Sequence, residues 1–377
     1  MSSPNTRLAQ LGVAVGLLAA TLPAAGCRER ADRPGGSPVA ERSAVLQSRW
    51  LIPPEPSIDP PLAAPVAIAV DGAHNRLLVL ELQPPELRVY GLPGGDFIEA
   101  LGREGDGPGE YRHPTDLALG AGGVVAVLSM NGRVSFWNPD ATLAGIVQAG
   151  TGMATDIMAA RADTFYVKAD LFPPDDVSEF RVLTADTALT QSRFRDSGIS
   201  GTEEPGRRFR NHAYAVAGTV WGDLLLSPPG RDYVILRVGA DGKLRQKIRR
   251  PEIPPLLRSE EEIERVRERV RKGFAAAGRP APQTIPVPMY RSHVARLAVA
   301  ADGYIWALTR RGDDSVAVVD CFAPDGSFFA SYRVALSVSD LAVAEDSVYF
   351  LARGPLDVPG IAVVPRPEVT DRESAIR

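Results

Sequence analysis

A short apolar pattern recurs six times along the chain, and β-prone segments follow each copy. Each copy has an apolar residue, then a small or flexible residue, then usually a second apolar residue. The copies are Ile68-Ala69-Val70, Leu117-Ala118-Leu119, Ile157-Met158-Ala159, Val216-Ala217-Gly218, Leu297-Ala298-Val299 and Leu341-Ala342-Val343. Most neighbouring copies are roughly 40–50 residues apart, which is the length of a four-stranded unit in a radial β-repeat. The pattern therefore predicts an all-β protein built from six similar units.

The segments that follow each copy favour antiparallel hairpins. A second β-prone run comes soon after the first, as in residues 124–128 and 304–308, and Asp241-Gly242 and Asp325-Gly326 mark later turns. Asp-Gly favours tight hairpins because glycine adopts positive φ at low cost. We predict a six-bladed β-propeller over residues 44–365.

A glycine-rich stretch between the first two units carries a family resemblance. Residues 102–111, which read Gly-Arg-Glu-Gly-Asp-Gly-Pro-Gly-Glu-Tyr, run into Pro114-Thr115-Asp116-Leu117-Ala118-Leu119. This stretch resembles the interblade signature of NHL-repeat propellers, where glycines let the chain cross from the outer strand of one blade to the inner strand of the next. The resemblance implies a six-bladed ring, and it says little about function because one fold hosts many functions.

The two ends of the repeat region are predicted to pair. The last unit has three strand-like segments, near Leu341, Val348 and residues 361–364, whereas a complete blade has four. Residues 44–52 are strand-like and precede the first unit. We predict that they supply the missing outer strand, because this pairing closes the ring and covers exposed strand edges. Residues 366–377 are predicted to be a disordered tail.

One helix is predicted within an insertion at about residues 252–288. Ser259 and Glu262 form a capping-box pattern, and Gly278 marks the end of a helix over 259–278. Its apolar stripe consists of Ile263, Val266, Val270 and Phe274. Two roles are open for this helix: a lid or partner-docking element, or an insertion without a specific function.

The N-terminus has the pattern of an export signal. A basic start at Arg7 precedes an apolar stretch over residues 8–25, and small residues lead into Cys27. This arrangement resembles a bacterial lipoprotein signal, which implies that residues 1–27 are the signal, that Cys27 carries the lipid and that residues 28–43 are a flexible tether. An ordinary cleaved signal and a retained membrane anchor are the alternatives. Arg28 follows the cysteine, and this favours the outer membrane, with the protein facing the periplasm or the cell surface.

Charge and cysteine content narrow the possible partners. The net charge is −4 and the pI is about 5.7, so there is no basic field to attract nucleic acid. Membrane attachment is expected through the N-terminal lipid, and an envelope protein is a possible partner. Cys321 has no second cysteine beside it in the mature chain and is predicted to be a small core residue.

Three histidines share one position in the repeat. His113, His212 and His293 each lie four residues before the first apolar residue of a unit. If they met in the channel, neutral imidazoles would suit zinc. The arrangement resembles that of metal-binding lyases of the NHL group, in which a histidine directly follows the motif proline. Here His113 precedes Pro114, so no ligand set is carried over, and the presence of a metal is left open.

Charged residues occupy a second repeated position, one residue before the apolar one. They are Asp116, Asp156, Arg296 and Asp340, with Ala215 at the same position in the fourth unit. Equivalent positions on inner strands line the channel, so these side chains are candidates for binding a polar ligand at its mouth, together with the three histidines. The alternative is that the aspartates satisfy backbone groups where strands begin.

No known catalytic motif is present: the sequence has no Gly-x-Ser-x-Gly, phosphate loop or His-Glu-x-x-His. The leading hypothesis is a non-enzymatic propeller, anchored in the cell envelope, that binds a protein or a small polar ligand without a cofactor. The alternative is a metal-dependent lyase or hydrolase that uses the histidines in the channel. A third hypothesis is a scaffold that docks a partner on the 259–278 helix.

Overall fold

The structure is a computed structural model that describes most of the repeat region. The described residues are 43–55, 59–150, 153–160, 164–170, 178–184, 193–195, 215–276, 278, 280–285 and 287–368. The predicted signal with Cys27, the tether as far as residue 42, His212 and residues 369–377 lie outside them. No helix in the described ranges is both long and apolar enough to cross a membrane.

The first half of the chain forms three four-stranded antiparallel sheets, each a blade whose strands run from inner to outer in chain order. Two strands come before them: β1 (Ser43–Leu46) and β2 (Arg49–Ile52). Blade 1 contains β3 (Pro65–Asp71), β4 (Arg76–Leu82), β5 (Pro85–Gly91) and β6 (Phe97–Leu101). The crossover contains β7 (Arg103–Glu104) and β8 (Glu110–Tyr111). Blade 2 contains β9 (Pro114–Leu119), β10 (Val125–Ser129), β11 (Arg133–Trp137) and β12 (Leu143–Gln148). Blade 3 contains β13 (Met153–Ala159), β14 (Thr164–Asp170), β15 (Ser178–Thr184) and β16 (Arg193–Arg195).

The second half forms three further blades and one helix. Blade 4 contains β17 (Ala215–Gly218), β18 (Leu224–Ser227), β19 (Val234–Val238) and β20 (Leu244–Arg249), and helix α1 (Glu260–Ala276) follows it. Blade 5 contains β21 (Val294–Val299), β22 (Ile305–Thr309), β23 (Ala317–Phe322) and β24 (Phe328–Val334). Blade 6 contains β25 (Ser337–Val343), β26 (Ser347–Arg353) and β27 (Pro359–Pro365), with β2 as its outer strand. The inner strands of neighbouring blades contact one another around the whole ring, so the chain is a six-bladed β-propeller.

Ring closure involves the two chain ends, as the sequence predicted, but with two strands instead of one. β2 pairs antiparallel with β27, placing Arg49 beside Val363 and Trp50 beside Ala362. β1 pairs in parallel with β24 of blade 5. The segment 44–52 therefore completes blade 6 with its second half and adds an extra edge strand to blade 5 with its first half.

The apolar core lies between adjacent blades, where the faces of the sheets meet. Phe136 of blade 2 meets Phe165 of blade 3 edge to face, with ring centroids 5.3 Å apart. Trp306 of blade 5 packs in one cluster with Phe350 of blade 6, and both are fully buried. Each blade thus buries one face against the preceding blade and the other against the next, which makes a rigid frame for the channel.

The glycine-rich stretch forms the crossover predicted from the sequence. Gly102 has a φ of +79°, and a Cβ there would lie 2.4 Å from the Tyr111 ring, so glycine is required. The Glu110 carboxylate accepts hydrogen bonds from the Gly107 amide at 2.7 Å and from Arg103 Nε at 2.9 Å. Tyr111 is fully buried between blades 1 and 2. The crossover is therefore a fixed link.

The insertion contains the predicted helix with its predicted cap. The Ser259 amide donates to Glu262 Oε2 at 3.0 Å, and the Glu262 amide donates to Ser259 Oγ at 3.2 Å, which is the reciprocal capping box. An antiparallel bridge between Leu257 and Tyr290 closes the base of the insertion. The stripe that includes Ile263 is half-buried along the helix.

The predicted tail begins too early at residue 366. The Arg366 amide donates to the Asp346 carbonyl at 2.7 Å, its guanidinium pairs with Asp302, and it lies 6.0 Å from the Tyr304 ring centroid. Arg366 thus belongs to the propeller, since its long side chain covers aromatic surface while its charge is paired.

Candidate ligand site in the central channel

The inner strands share a local irregularity that the sequence pattern did not reveal. In five of the six blades, one residue of the inner strand is skipped in the pairing with the second strand. The skipped residues are Val66, Thr115, Thr155, Ala295 and Ser339. Each is a β-bulge, which bends the strand and re-aims the residues beside it. The residue after each bulge occupies the second repeated position, directly before the apolar residue of the unit. In four of these five blades this residue is charged.

These four charged residues line one cavity in the central channel. Asp116, Asp156, Arg296 and Asp340 surround a volume of about 260 Å³, together with mainly apolar residues further along the inner strands. We call the four residues the charged collar. Equivalent positions lie at one level of the ring because the inner strands all run in the same direction. The collar therefore lies near the middle of the inner strands, at the end of the cavity that faces the beginnings of those strands.

Two collar aspartates also connect neighbouring blades. Asp116 Oδ2 accepts a hydrogen bond from the Ile157 amide of blade 3 at 2.9 Å. Asp340 Oδ2 accepts one from the Ile68 amide of blade 1 at 3.0 Å. Both aspartates therefore satisfy a backbone amide on the unpaired edge of an inner strand, which is the structural role considered for them from the sequence. This hydrogen bond occupies one oxygen of each carboxylate.

The other collar residues have cationic partners. Arg296 Nε lies 3.5 Å from Asp340 Oδ1. Asp156 Oδ2 lies 3.3 Å from the buried Lys168 Nζ, which also contacts Asp170 Oδ1 at 3.3 Å and donates to Thr155 Oγ1 at 2.8 Å. Lys168 is thus a further charged group of the site, which sequence analysis missed because it lies on the second strand of its blade. These contacts fix the collar side chains in position.

The titration of the collar is perturbed by its surroundings. Desolvation in the narrow channel, with the nearby Asp156 carboxylate, raises the pKa of Asp116 to about 8. Desolvation also raises the pKa of Asp340, against the opposing effect of Arg296. The Asp340 carboxylate in turn raises the pKa of Arg296, which keeps its charge. At neutral pH Asp116 is therefore largely protonated, and a cation placed beside it would favour release of the proton.

We expect the substitution Asp116→Asn to stabilise the protein at high pH. The wild-type folded pKa of about 8 exceeds the ordinary aspartate value of about 3.9, so the folded state holds a proton that the unfolded state releases. Stability is therefore lost as the pH rises through the folded pKa. Asparagine does not ionise and still accepts the Ile157 hydrogen bond. At pH 9 the free energy of unfolding of the variant, measured by thermal unfolding, should exceed that of the wild type by on the order of 1 kcal/mol. The gain is this small because channel water screens the repulsion between the carboxylates. Near pH 4 the two proteins should be equally stable. A control is Glu99→Gln on the exposed side of β6. An equal gain at both pH values would contradict the assignment.

The structure does not bring the predicted histidines together in the channel. His293 is buried, with Nε2 3.0 Å from the Arg231 carbonyl oxygen and its ring centroid 5.5 Å from that of Tyr233. His113 is exposed in the turn that enters β9. Neither lines the cavity, and His212 lies outside the described residues. The part of the chain that the structure describes contains no group of three metal-ligating side chains. Both histidines precede the inner strands β9 and β21, whereas the cavity begins at Asp116 and Arg296 within those strands.

A second set of charges lies beyond the collar and was also missed. Arg258 and Arg291 flank the bridge at the base of the insertion, and Arg310 follows β22. They come from three separate segments, so no spacing in the sequence pointed to them. Finding them from the sequence would have required knowing that the two ends of the insertion pair with each other at Leu257 and Tyr290.

Comparisons with known proteins support the fold. The sequence matches no family model and no curated protein. Among solved structures, the RRP9 WD40 repeats align with a TM-score of 0.52 at 8% identity, covering 86% of this chain and 98% of that one. U3-55K aligns with a TM-score of 0.51 at 10% identity, covering 86% of this chain and 100% of that one. WD40 repeats build propeller blades. This chain shares that fold.

A third solved structure is less similar to this chain. The β-propeller domain of Cps50 (Swd1) from Myceliophteria thermophila aligns with a TM-score of 0.45 at 10% identity, covering 81% of this chain and 97% of that one. At these identities the likeness concerns the path of the backbone alone. The function of the propeller has to be argued from its own side chains.

Proposed function

We propose that this protein is an exported, lipid-anchored β-propeller that binds a small polar ligand at the charged collar and does not act as an enzyme. The observation that carries the proposal is the collar itself: four charged side chains from four blades around one cavity. A volume of about 260 Å³ is slightly below the usual range for ligand pockets, so only a small ligand fits it. The anchor is inferred from the signal pattern that ends at Cys27, which also supports the periplasm or the cell surface as its location.

The collar charges favour a ligand with a cationic group. Arg296 is paired with Asp340 across 3.5 Å, and Lys168 with Asp156 across 3.3 Å. Asp116 forms no ion pair among the described residues, and the nearby Asp156 carboxylate contributes to its raised pKa. A cation between these two carboxylates would relieve their repulsion and replace the proton on Asp116. Binding of such a ligand would therefore release a proton at neutral pH and strengthen as the pH rises towards 8.

The remaining functional hypotheses have less support. The histidine-based lyase or hydrolase needs imidazoles in the channel, and the cavity is lined by neither His113 nor His293. A scaffold that docks a partner on α1 stays a prediction, as does membership of the NHL-repeat family. The proposal needs no cofactor, because the collar side chains supply the charge that recognises the ligand.

Titration calorimetry with putrescine, a small dication, tests the collar. We expect binding to the wild-type protein that strengthens between pH 6 and about pH 8, as the Asp116 proton leaves. The double variant Asp116→Asn with Asp156→Asn should bind roughly tenfold or more weakly, since each lost charged hydrogen bond costs about 1.5–3 kcal/mol. Butanediol, which has the same length and no charge, is the control ligand, and Glu99→Gln is the control variant. Equal binding of putrescine by the double variant, or a flat pH profile, would overturn the proposal.

A further inference from the structure

Three arginines lie around the base of the insertion, on the side of the collar where β21 begins, and none of them lines the cavity itself. The Arg258 amide donates to the Met289 carbonyl at 2.9 Å, and the Arg291 amide donates to the Leu256 carbonyl at 2.8 Å. The Leu257–Tyr290 bridge lies between these two bonds. Arg258 and Arg291 are therefore held on neighbouring strands of the insertion base.

Arg310 joins this pair from blade 5. Its amide donates to the His293 carbonyl at 2.8 Å, and His293 is two residues beyond Arg291. Two residues further along the same hairpin, Leu308 pairs with Arg296 of the collar. The backbone thus places Arg310 between the insertion base and the collar, at the end where β21 begins. We call Arg258, Arg291 and Arg310 the arginine group.

The charges of this group are not balanced within the part of the chain that the structure describes. Glu262 pairs with Arg291 Nη2 at 2.8 Å. The Nε atoms of Arg258 and Arg291 are buried and have no hydrogen-bond partner among the described residues. No described acidic side chain forms an ion pair with Arg310 or Arg258. Three guanidinium groups therefore share one carboxylate.

Electrostatics is consistent with this placement. Arg310 is an exposed residue, yet desolvation by the groups packed around it and the charges of Arg258, Arg296 and Arg291 lower its pKa. Desolvation also lowers the pKa of Arg258, with Glu262 opposing and Arg291 adding to the effect. Grouping like charges destabilises a fold, so an anion bound among them would stabilise this arrangement. Guanidinium groups suit carboxylate and phosphate because their N–H donors match two oxygens at once.

We propose that the ligand of the collar also carries an anionic group, a carboxylate or a phosphate, and that Arg258, Arg291 and Arg310 bind it. This inference rests on the proposed function and adds to it: the ligand is a small molecule with a cationic part at Asp116 and Asp156 and an anionic part at the arginine group. The insertion then has a function, because its base supplies two of the three anion-binding residues. Its helix holds Arg291 in place through the contact between Glu262 and Arg291.

Calorimetric titration with two simple anions tests the inference without the natural ligand. Inorganic phosphate and succinate are titrated separately into the wild-type protein at low salt. We expect at least one of these anions to bind. The anion with the higher affinity shows whether the ligand carries a phosphate or a carboxylate. Arg310→Gln should weaken it about tenfold or more, the loss expected for a charge-assisted bidentate contact. Arg310→Lys should recover part of the affinity, since it keeps the charge and loses the planar fork.

The control variant is Arg269→Gln, which removes an exposed arginine from α1 in the same insertion. It should bind phosphate and succinate as the wild type does, and thermal unfolding of each variant shows whether the fold is kept. If Arg310 proves sensitive to substitution, Arg258→Gln provides a second measurement of the same loss. Absence of anion binding, or equal binding by Arg310→Gln and Arg269→Gln, would overturn the inference.

The two proposals fail separately. Putrescine binding that depends on Asp116 and Asp156, with no anion binding, would leave the collar function standing and remove the arginine group from it. Anion binding that depends on Arg310, with no putrescine binding, would support the arginine site and overturn the cationic site.

Discussion

Replacing Asp320 with alanine is expected to destabilise the propeller by roughly 3–5 kcal/mol, the cost of removing one partner of a buried ion pair. Asp320 lies on β23 and is completely buried. Its carboxylate is 3.4 Å from Arg250 Nη1, pairs with Arg311 and accepts a 2.5 Å hydrogen bond from Ser331 Oγ. Without it, two largely buried guanidinium groups lose their shared anion.

Urea unfolding of the Asp320→Ala variant measures this loss. Part of the charge of Arg250 remains compensated, because it also pairs with the more exposed Glu252 and lies 3.6 Å above the Phe328 ring centroid. Asp314→Ala, in the exposed loop before β23, is the matched control and should change stability by no more than about 0.5 kcal/mol. If both variants unfolded at the same urea concentration, the buried network would have no role in holding blades 4 and 5 together.

Placing a charge on the closing strand is the second change with a large expected effect. Ile52 on β2 is 2% exposed and packs in one cluster with Leu77, Leu351 and Ile361 from blades 1 and 6. Ile52→Asp would force an unpaired carboxylate into this cluster, at a cost of about 4 kcal/mol or more. We expect a lower unfolding temperature and rapid proteolysis, because the ring opens between blades 6 and 1.

The neighbouring strand provides the control for this change. Val45 on β1 is 62% exposed, so Val45→Asp introduces the same charge a few residues away without burying it. It should alter the free energy of unfolding by about 0.5 kcal/mol or less. Comparable losses in the two variants would mean that β1 and β2 contribute equally, and that β2 is not the specific closure of the ring.

The fold could be predicted from the sequence because each sequence repeat corresponds to one blade. Each apolar triplet marks an inner strand, since every blade must bury the same positions against its neighbours. The start of the helix could also be predicted, because the side chains of Ser259 and Glu262 each accept a hydrogen bond from the backbone amide of the other residue. Features of this kind depend on residues close together in the chain.

The candidate site was only partly predictable, because it depends on contacts between distant segments. The collar could be found, since it repeats with the inner strands. The bulges could not, because residues as different as Thr115, Ala295 and Ser339 occupy them. The burial of His293 against Tyr233 could not be predicted either, because it depends on a contact between blades 4 and 5. Likewise, residues 44–52 are divided between two blades because β1 pairs with the free edge of β24. Nothing in the sequence of residues 44–52 itself indicates this pairing.

The position of β1 sets where the described chain joins the ring. Ser43 lies beside Ser331 on the outer strand of blade 5, so the chain enters the ring at its circumference, far from the axis. Separating this first strand from the ring would break the hydrogen bonds between β1 and β24 before any bond within a blade.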